Sequence, residues 1–237
     1  MGLPGKGCTA HCTSEFRKIS VMDANEFYRE FTDRAKENNI ILKGQAVSYP
    51  EALGKTYFEV YRNMERVYTE LVNKNIVHSI IQDAYTDDKT EHLVAQHEYF
   101  RIDTIGYQHR YMEIPKNEAE KVALNRHFWD LKIAVEHENS KRDWMDEVAK
   151  LVHIRCPLKV VITYNHCDER EGKELEKLSY IAKWMRRIAA FDRDADEEYL
   201  IIIGNGAPRR RSSGGYSCFN YRGYLYQYHT ASFERIG

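Results

Sequence analysis

No apolar run in this chain approaches the roughly 20 residues that a membrane-spanning helix needs, so the expectation is a protein without a helical membrane span. Cysteine is sparse and odd in number, with Cys8, Cys12, Cys156, Cys167 and Cys218 and no signal peptide before them, which points to reduced thiols and a cytoplasmic protein. His11 sits between Cys8 and Cys12, yet no compact second pair completes a four-ligand zinc site. An excess of either charge is also missing. Charged residues make up 30% and cancel to a formal net charge of -1, so any contact with nucleic acid has to come from local basic patches. Internal repeats are absent, and the longest biased tract is Arg209-Arg210-Arg211. Lys6 stands where an acylation signal needs serine or threonine, which argues against lipidation.

What is present is enough apolar material for a core. With 237 residues at 43% hydrophobic content, the chain needs no disulfide or metal staple. The small-residue start makes residues 1–15 a flexible tail, and 16–237 are expected to form a single α/β domain with a helical N-terminal part.

Periodicity supplies the elements. Asp23 is placed to cap a helix from Ala24 to about Asn38, and a broad apolar stripe between Pro50 and Asn73 predicts another helix. Ile40 to Leu42 reads as a turn of helix or a small strand. A shorter helical segment follows from Ile76 to Ala84 after a break near Asn75, then a polar loop from Thr86 to Thr90. Glu98 to Val135 reads as antiparallel strands, with one more element of undecided type around Ala119 to Arg126. Lys141 to Val152 has helical spacing, with Trp144, Val148 and Leu151 or Val152 as its apolar face. Pro157 stops it, and Leu158 to Tyr164 is a β-branched strand. A long helix over Lys173–Ala190, with Leu175 and Leu178 on its apolar side, precedes a buried strand over Leu200–Gly204. Tyr221 to His229 alternates as a final strand.

The chemistry is concentrated in two stretches that bring acids out of strands, Glu98-Tyr-Phe-Arg-Ile-Asp103 and Trp129-Asp-Leu-Lys-Ile-Ala-Val-Glu136-His-Glu138. Alternation in a strand puts Lys132, Ala134, Glu136 and Glu138 on one face, and Ile133, Val135 and His137 on the other. Asn139 and Ser140 then offer helix caps, which makes strand, helix, strand, and so a parallel pair with a right-handed crossover. Glu136 and Glu138 thereby lie at the carboxyl end of their strand, where open α/β sheets place their sites. Acids held together on strands are costly to desolvate, and a divalent cation is the natural reason to assemble them. Glu98 joins only through a bulge, and Glu147 on the following helix either orients the shell or faces solvent.

An acid at the end of one strand, followed by a strand that ends in Glu136-x-Glu138 and runs into a helix, resembles the PD-(D/E)xK superfamily of restriction-endonuclease-like nucleases. The resemblance covers about residues 95 to 165. It implies a central mixed sheet flanked by helices and a Mg²⁺- or Mn²⁺-dependent endonuclease acting on DNA. Asp103 matches the first acid, Glu136 the second, and Glu138 the position normally held by lysine. Asp103, Glu136 and Glu138 are thus the expected metal ligands, with Glu138 as ligand or water-orienting base. Lys132 or Lys150 would supply the missing positive charge.

Lys141, Arg142, Arg209, Arg210 and Arg211 are the candidate phosphate contacts, because arginine forks fit phosphate and Ser212 to Gly215 let the loop adapt. Cleavage of both strands would favour a homodimer. Two other readings stand beside this one. A non-catalytic member of the same fold would bind nucleic acid or protein, and a small-molecule phosphohydrolase would show a closed pocket.

Overall fold

The computed structural model describes residues 22–48, 72–111, 121, 127–138, 144–165, 171–188, 197–205 and 220–237. Its centre is a mixed sheet of seven strands in sequence order: β1 (Val94–Tyr99), β2 (Ile102–Tyr111), β3 (His127–Glu138), β4 (Leu158–Asn165), β5 (Glu198–Asn205), β6 (Asn220–Gln227) and β7 (Ser232–Ile236). β3, β4 and β5 run parallel, and the strands on either side pair antiparallel.

Helices cover both faces. On one lie α1 (Ala24–Ser48) and α2 (His78–Asp83), the latter entered through a π-helical turn over Val72–Val77. On the other lie the crossover helices α3 (Trp144–Val152) and α4 (Glu171–Met185). β3 to β4 to β5 moves one way across the sheet, so two crossovers of the same hand put α3 and α4 on the same side. The core divides accordingly. Ile133, Val135, Val160 and Ile162 pack against Phe27, Phe31 and Ile80, whereas Ala134, Val161 and Ile201 pack against Val148, Leu151 and Ile181. Every residue of β4 is buried, as expected for a central parallel strand covered on both faces.

Several sequence expectations change. α1 runs on to Ser48 and absorbs Ile40 to Leu42. In place of a break at Asn75, the backbone widens into the π-helical turn. Glu98 to Asp103 is not one strand: the chain reverses at Phe100 and Arg101, so Asp103 lies at the start of β2 rather than at a strand end. On α4, Leu175 is 46% exposed, and Glu174 takes the fully buried position beside it. The final strand ends at Gln227, and β7 follows it as a seventh strand that the alternation pattern did not separate. The expected tail over 1–15, most of the stripe from Pro50 to Asn73 and the element around Ala119 to Arg126 lie outside the described residues, Lys121 excepted.

A bulge sets which residues of β3 reach the acid face. Gly106 pairs with Ile133, but the next residue, Tyr107, pairs with Leu131, leaving Lys132 as the extra residue. It turns toward the α2 side, where its ammonium donates to Asp87 Oδ2 at 2.7 Å. The expectation that Lys132 shares a face with Ala134 and Glu136 therefore fails. Gly106 is required at this point, since a Cβ there would lie 2.7 Å from Ile81 Cγ2. Gly106→Ala should cost about 1–3 kcal/mol through overpacking. Urea unfolding checks this, and a midpoint equal to that of the parent would show that the helix yields freely.

Candidate active site

The hairpin between β1 and β2 delivers Asp103. Phe100 and Arg101 at its tip have φ of 48° and 63°, and Glu98 has φ of 53°. Positive φ at both central residues is what a tight two-residue hairpin needs, and glycine or asparagine usually supplies it. Here bulky residues do, at about 1–2 kcal/mol each. One contact anchors the tip: Lys150 Nζ of α3 donates to the Arg101 carbonyl at 2.9 Å.

The last backbone pair recorded between β2 and β3 on this side is Thr104 with Val135. Just beyond it the Asp103 side chain takes over, with Oδ2 accepting from the His137 backbone N–H at 2.7 Å. Asp103 is therefore fixed against the strand segment that carries Glu136. The Glu136 side chain is 2% exposed, and its Oε1 lies 2.8 Å from Lys150 Nζ. Lys150 also contacts Glu147, three residues earlier on α3. Lys150 is thus the shared cationic partner of both carboxylates. Glu136 Oε1 and Glu147 Oε2 are both buried and both face this ammonium.

Electrostatics follow from this crowding. Burial raises Asp103 from 3.8 to about 6, with the charges of Glu98 and Glu147 pushing the same way and the His137 N–H and Lys150 opposing. Burial likewise raises Glu136 to about 8 despite Lys150, and the neighbouring Asp103 and Glu147 charges add to it. Lys150 itself is raised: burial works against its charge, but Glu136 and Glu147 outweigh it. Several acids thus share a single ammonium, and protons make up part of the difference.

Beneath the acids lies a polar relay. His137 Nδ1 meets Asn73 Oδ1 at 2.8 Å, and Nε2 meets the Tyr164 hydroxyl at 2.7 Å. With the amide oxygen as acceptor, Nδ1 carries the proton and Nε2 accepts from Tyr164. Burial lowers His137 to about 3, so it stays neutral. Asn73 comes from the π-helical turn, a feature that frequently marks functional sites. Sequence reading placed His137 under the glutamates but had no signal for Asn73 or Tyr164, which arrive from distant segments.

Glu138 ends β3 half-buried, on the Glu136 face and opposite Thr163 of β4, whose buried Oγ1 has no hydrogen-bond partner. Among the described residues, no group of three or more His, Cys, Asp or Glu side chains stands close enough to hold a metal ion. Asp103, Glu136 and Glu138 therefore do not form a closed three-carboxylate cage. The acid whose charge bears on both Asp103 and Glu136 is Glu147. Lys141, Arg142, Arg209, Arg210 and Arg211 lie outside the described residues.

Further along the same face, Glu174 is fully buried and accepts from Arg222 at 2.8 Å, the Tyr224 hydroxyl at 2.9 Å and Asn205 at 3.3 Å. This cluster is internally satisfied and ties α4 to β5 and β6. Among the described residues, no helix is long and apolar enough to cross a membrane. No protein-family model matches the chain, and no curated protein or solved structure matches it. What the coordinates define is a mixed α/β sheet flanked by helices, an architecture compatible with an enzyme, with an acid and lysine cluster on one face.

The raised Asp103 has a definite consequence for stability. The folded state holds this proton more tightly than the unfolded chain, so the stability it contributes is full below the ordinary value of 3.8 and is lost as pH rises through about 6. Asn resembles the protonated acid. Asp103→Asn should therefore leave thermal stability near that of the parent at pH 4 and raise it by roughly 1–2 kcal/mol at pH 8, allowing for solvent screening. Melting curves across this range check it, and a variant less stable at pH 8 would refute it.

Proposed function

We propose that the chain is a Mg²⁺-dependent nuclease that hydrolyses phosphodiester bonds in DNA, a variant of the PD-(D/E)xK plan in which the lysine comes from α3. One observation carries this reading. Asp103 from the start of β2, Glu136 from the carboxyl end of β3 and Lys150 from the next helix meet in one place, with Lys150 Nζ 2.8 Å from Glu136.

The residues present fit the cation. Magnesium takes one or two protein carboxylates and keeps several waters, so Asp103 and Glu136 suffice as direct ligands without a closed cage. Glu136 Oε1 is buried and already faces a positive charge, the Lys150 ammonium at 2.8 Å, so the position suits a cation. Mn²⁺ suits the same donors. Bound there, the metal would polarise the phosphate and lower the pKa of a coordinated water.

The chain's own groups do the rest. Glu136 gives up its proton when the cation arrives, so metal affinity rises with pH as Asp103 and Glu136 ionise. Lys150, held charged by Glu136 and Glu147, offsets charge on the phosphate and is unsuited to act as a base. Glu138 accepts the proton of the attacking water, and Lys141, Arg142 and Arg209 to Arg211 contact the backbone. A homodimer would supply the second centre for cleavage of both strands.

One observation favours a second reading. Lys150 already serves as counter-ion to Glu136, so a non-catalytic protein of this fold that binds nucleic acid or protein would need no metal. Incubation with linear duplex, single-stranded DNA and RNA, each with Mg²⁺, Mn²⁺ or EDTA, separates the two. Cleavage is expected only with metal. Asp103→Asn and Glu136→Gln should each lower it at least about 100-fold, and Lys150→Met about 10- to 100-fold, with circular dichroism unchanged. Cleavage that persists in EDTA or in both acid variants would overturn the nuclease, and metal-independent binding without cleavage would establish the second reading.

A further inference from the structure

A cleft of about 550 Å³ opens beside the hairpin that carries Asp103. Tyr99, Phe100 and Trp129 give it aromatic walls, Ile102 and Pro157 give it apolar ones, and Asp130 and Arg155 provide polar groups at its lining. Phe100 is 80% exposed and Trp129 36% exposed, while Tyr99 meets each of them edge-on at 4.5 and 4.9 Å between ring centroids. Tyr99 thus braces both rings, and Trp129 packs also on Tyr107 at 5.5 Å, leaving Phe100 as the more exposed of the two.

Phe100 is unfavourable on two counts. It leaves an aromatic ring in water, and it occupies a left-handed turn position where an L side chain is strained. The two-residue hairpin accounts for the φ, whereas packing leaves the exposed ring unexplained. It is the 80% exposed ring that points toward a ligand rather than toward packing.

The cleft borders the hairpin that leads into Asp103. Ile102 lines it and is bonded to Asp103, and the carbonyl of Arg101, next to Phe100, accepts from Lys150. Its lining suits a flat, neutral ring: aromatic side chains for stacking, set beside the apolar Ile102 and Pro157. A base inside a duplex is already stacked on both sides and paired at its edge, so it has neither face nor edge to offer.

We infer that this cleft stacks one unpaired nucleobase of a single-stranded or frayed nucleic acid, next to the phosphate presented to Asp103 and Glu136. The inference rests on the nuclease reading, whose substrate class it narrows from duplex to unpaired strand.

Quenching of a 12-nucleotide DNA containing 2-aminopurine tests it, as the free strand and annealed to its complement, with EDTA present so that nothing is cleaved. The parent should quench the single strand and bind it at least about 10-fold more tightly than the duplex. Phe100→Ala and Trp129→Leu should each weaken single-strand binding about 10-fold and change duplex binding less than about twofold, and Phe100→Tyr should restore it. Because Phe100 is exposed, its variants should remain folded even if a Trp129 substitution is disruptive. Equal binding of both DNA forms, or unchanged single-strand affinity in Phe100→Ala, would overturn the cleft. So would absence of single-strand binding together with a dimer that Phe100→Ala dissociates, since the rings would then meet a second copy of the chain. Asp103→Asn separates the two ideas: unchanged quenching with cleavage lost upholds both, whereas quenching by a parent that never cleaves with metal retains base binding and removes the nuclease.

Discussion

Glu136 carries its carboxyl group into a part of the molecule where charge is expensive, and much around it answers that cost. A buried carboxylate without compensation would neutralise itself, and the pKa of about 8 shows the tendency. Lys150 opposes it from α3 at 2.8 Å. The same ammonium reaches Glu147 and the Arg101 carbonyl, so one side chain joins β3, α3 and the β1–β2 hairpin. The attraction that lowers the cost of Glu136 also fixes the loop that delivers Asp103.

Support from beneath is of a different kind. His137 is neutral and held on both ring nitrogens, which immobilises the strand end without adding charge near the acids. Its backbone N–H is the donor to Asp103. The two faces of β3 therefore divide the work: charged groups point toward α3, and an uncharged hydrogen-bonded relay points toward α1 and α2. Strand alternation produces this division at no further cost, because residues 136 and 137 must face opposite ways.

Part of this arrangement was legible from residue order. The run from Glu136 through Val152 to Tyr164 reads as strand, helix, strand because each signal is local: alternation, helical spacing, a proline stop and a β-branched strand. Parallel pairing and the sheet-edge position of Glu136 follow from those signals together. Other features were illegible because no local preference encodes them. Phe100 and Arg101 are poor turn residues, and the reversal there involves contacts with Lys150 and Tyr99 that only folding creates. Lys132 leaves the acid face because a bulge adds one residue opposite Gly106, where Ile81 sits too close for any side chain.

By itself the sequence determined a mixed α/β architecture and the placing of Glu136 and Glu138 at a strand's carboxyl end, since periodicity and chain reversal are short-range properties. Only the tertiary structure decided which groups meet there. It joined Lys150 and Glu147 to Glu136, brought Asn73 and Tyr164 to His137, and set an exposed aromatic cleft beside Asp103. Desolvation and charge pairing depend on distances between segments far apart in the chain, and those distances are fixed only when the sheet and its covering helices pack.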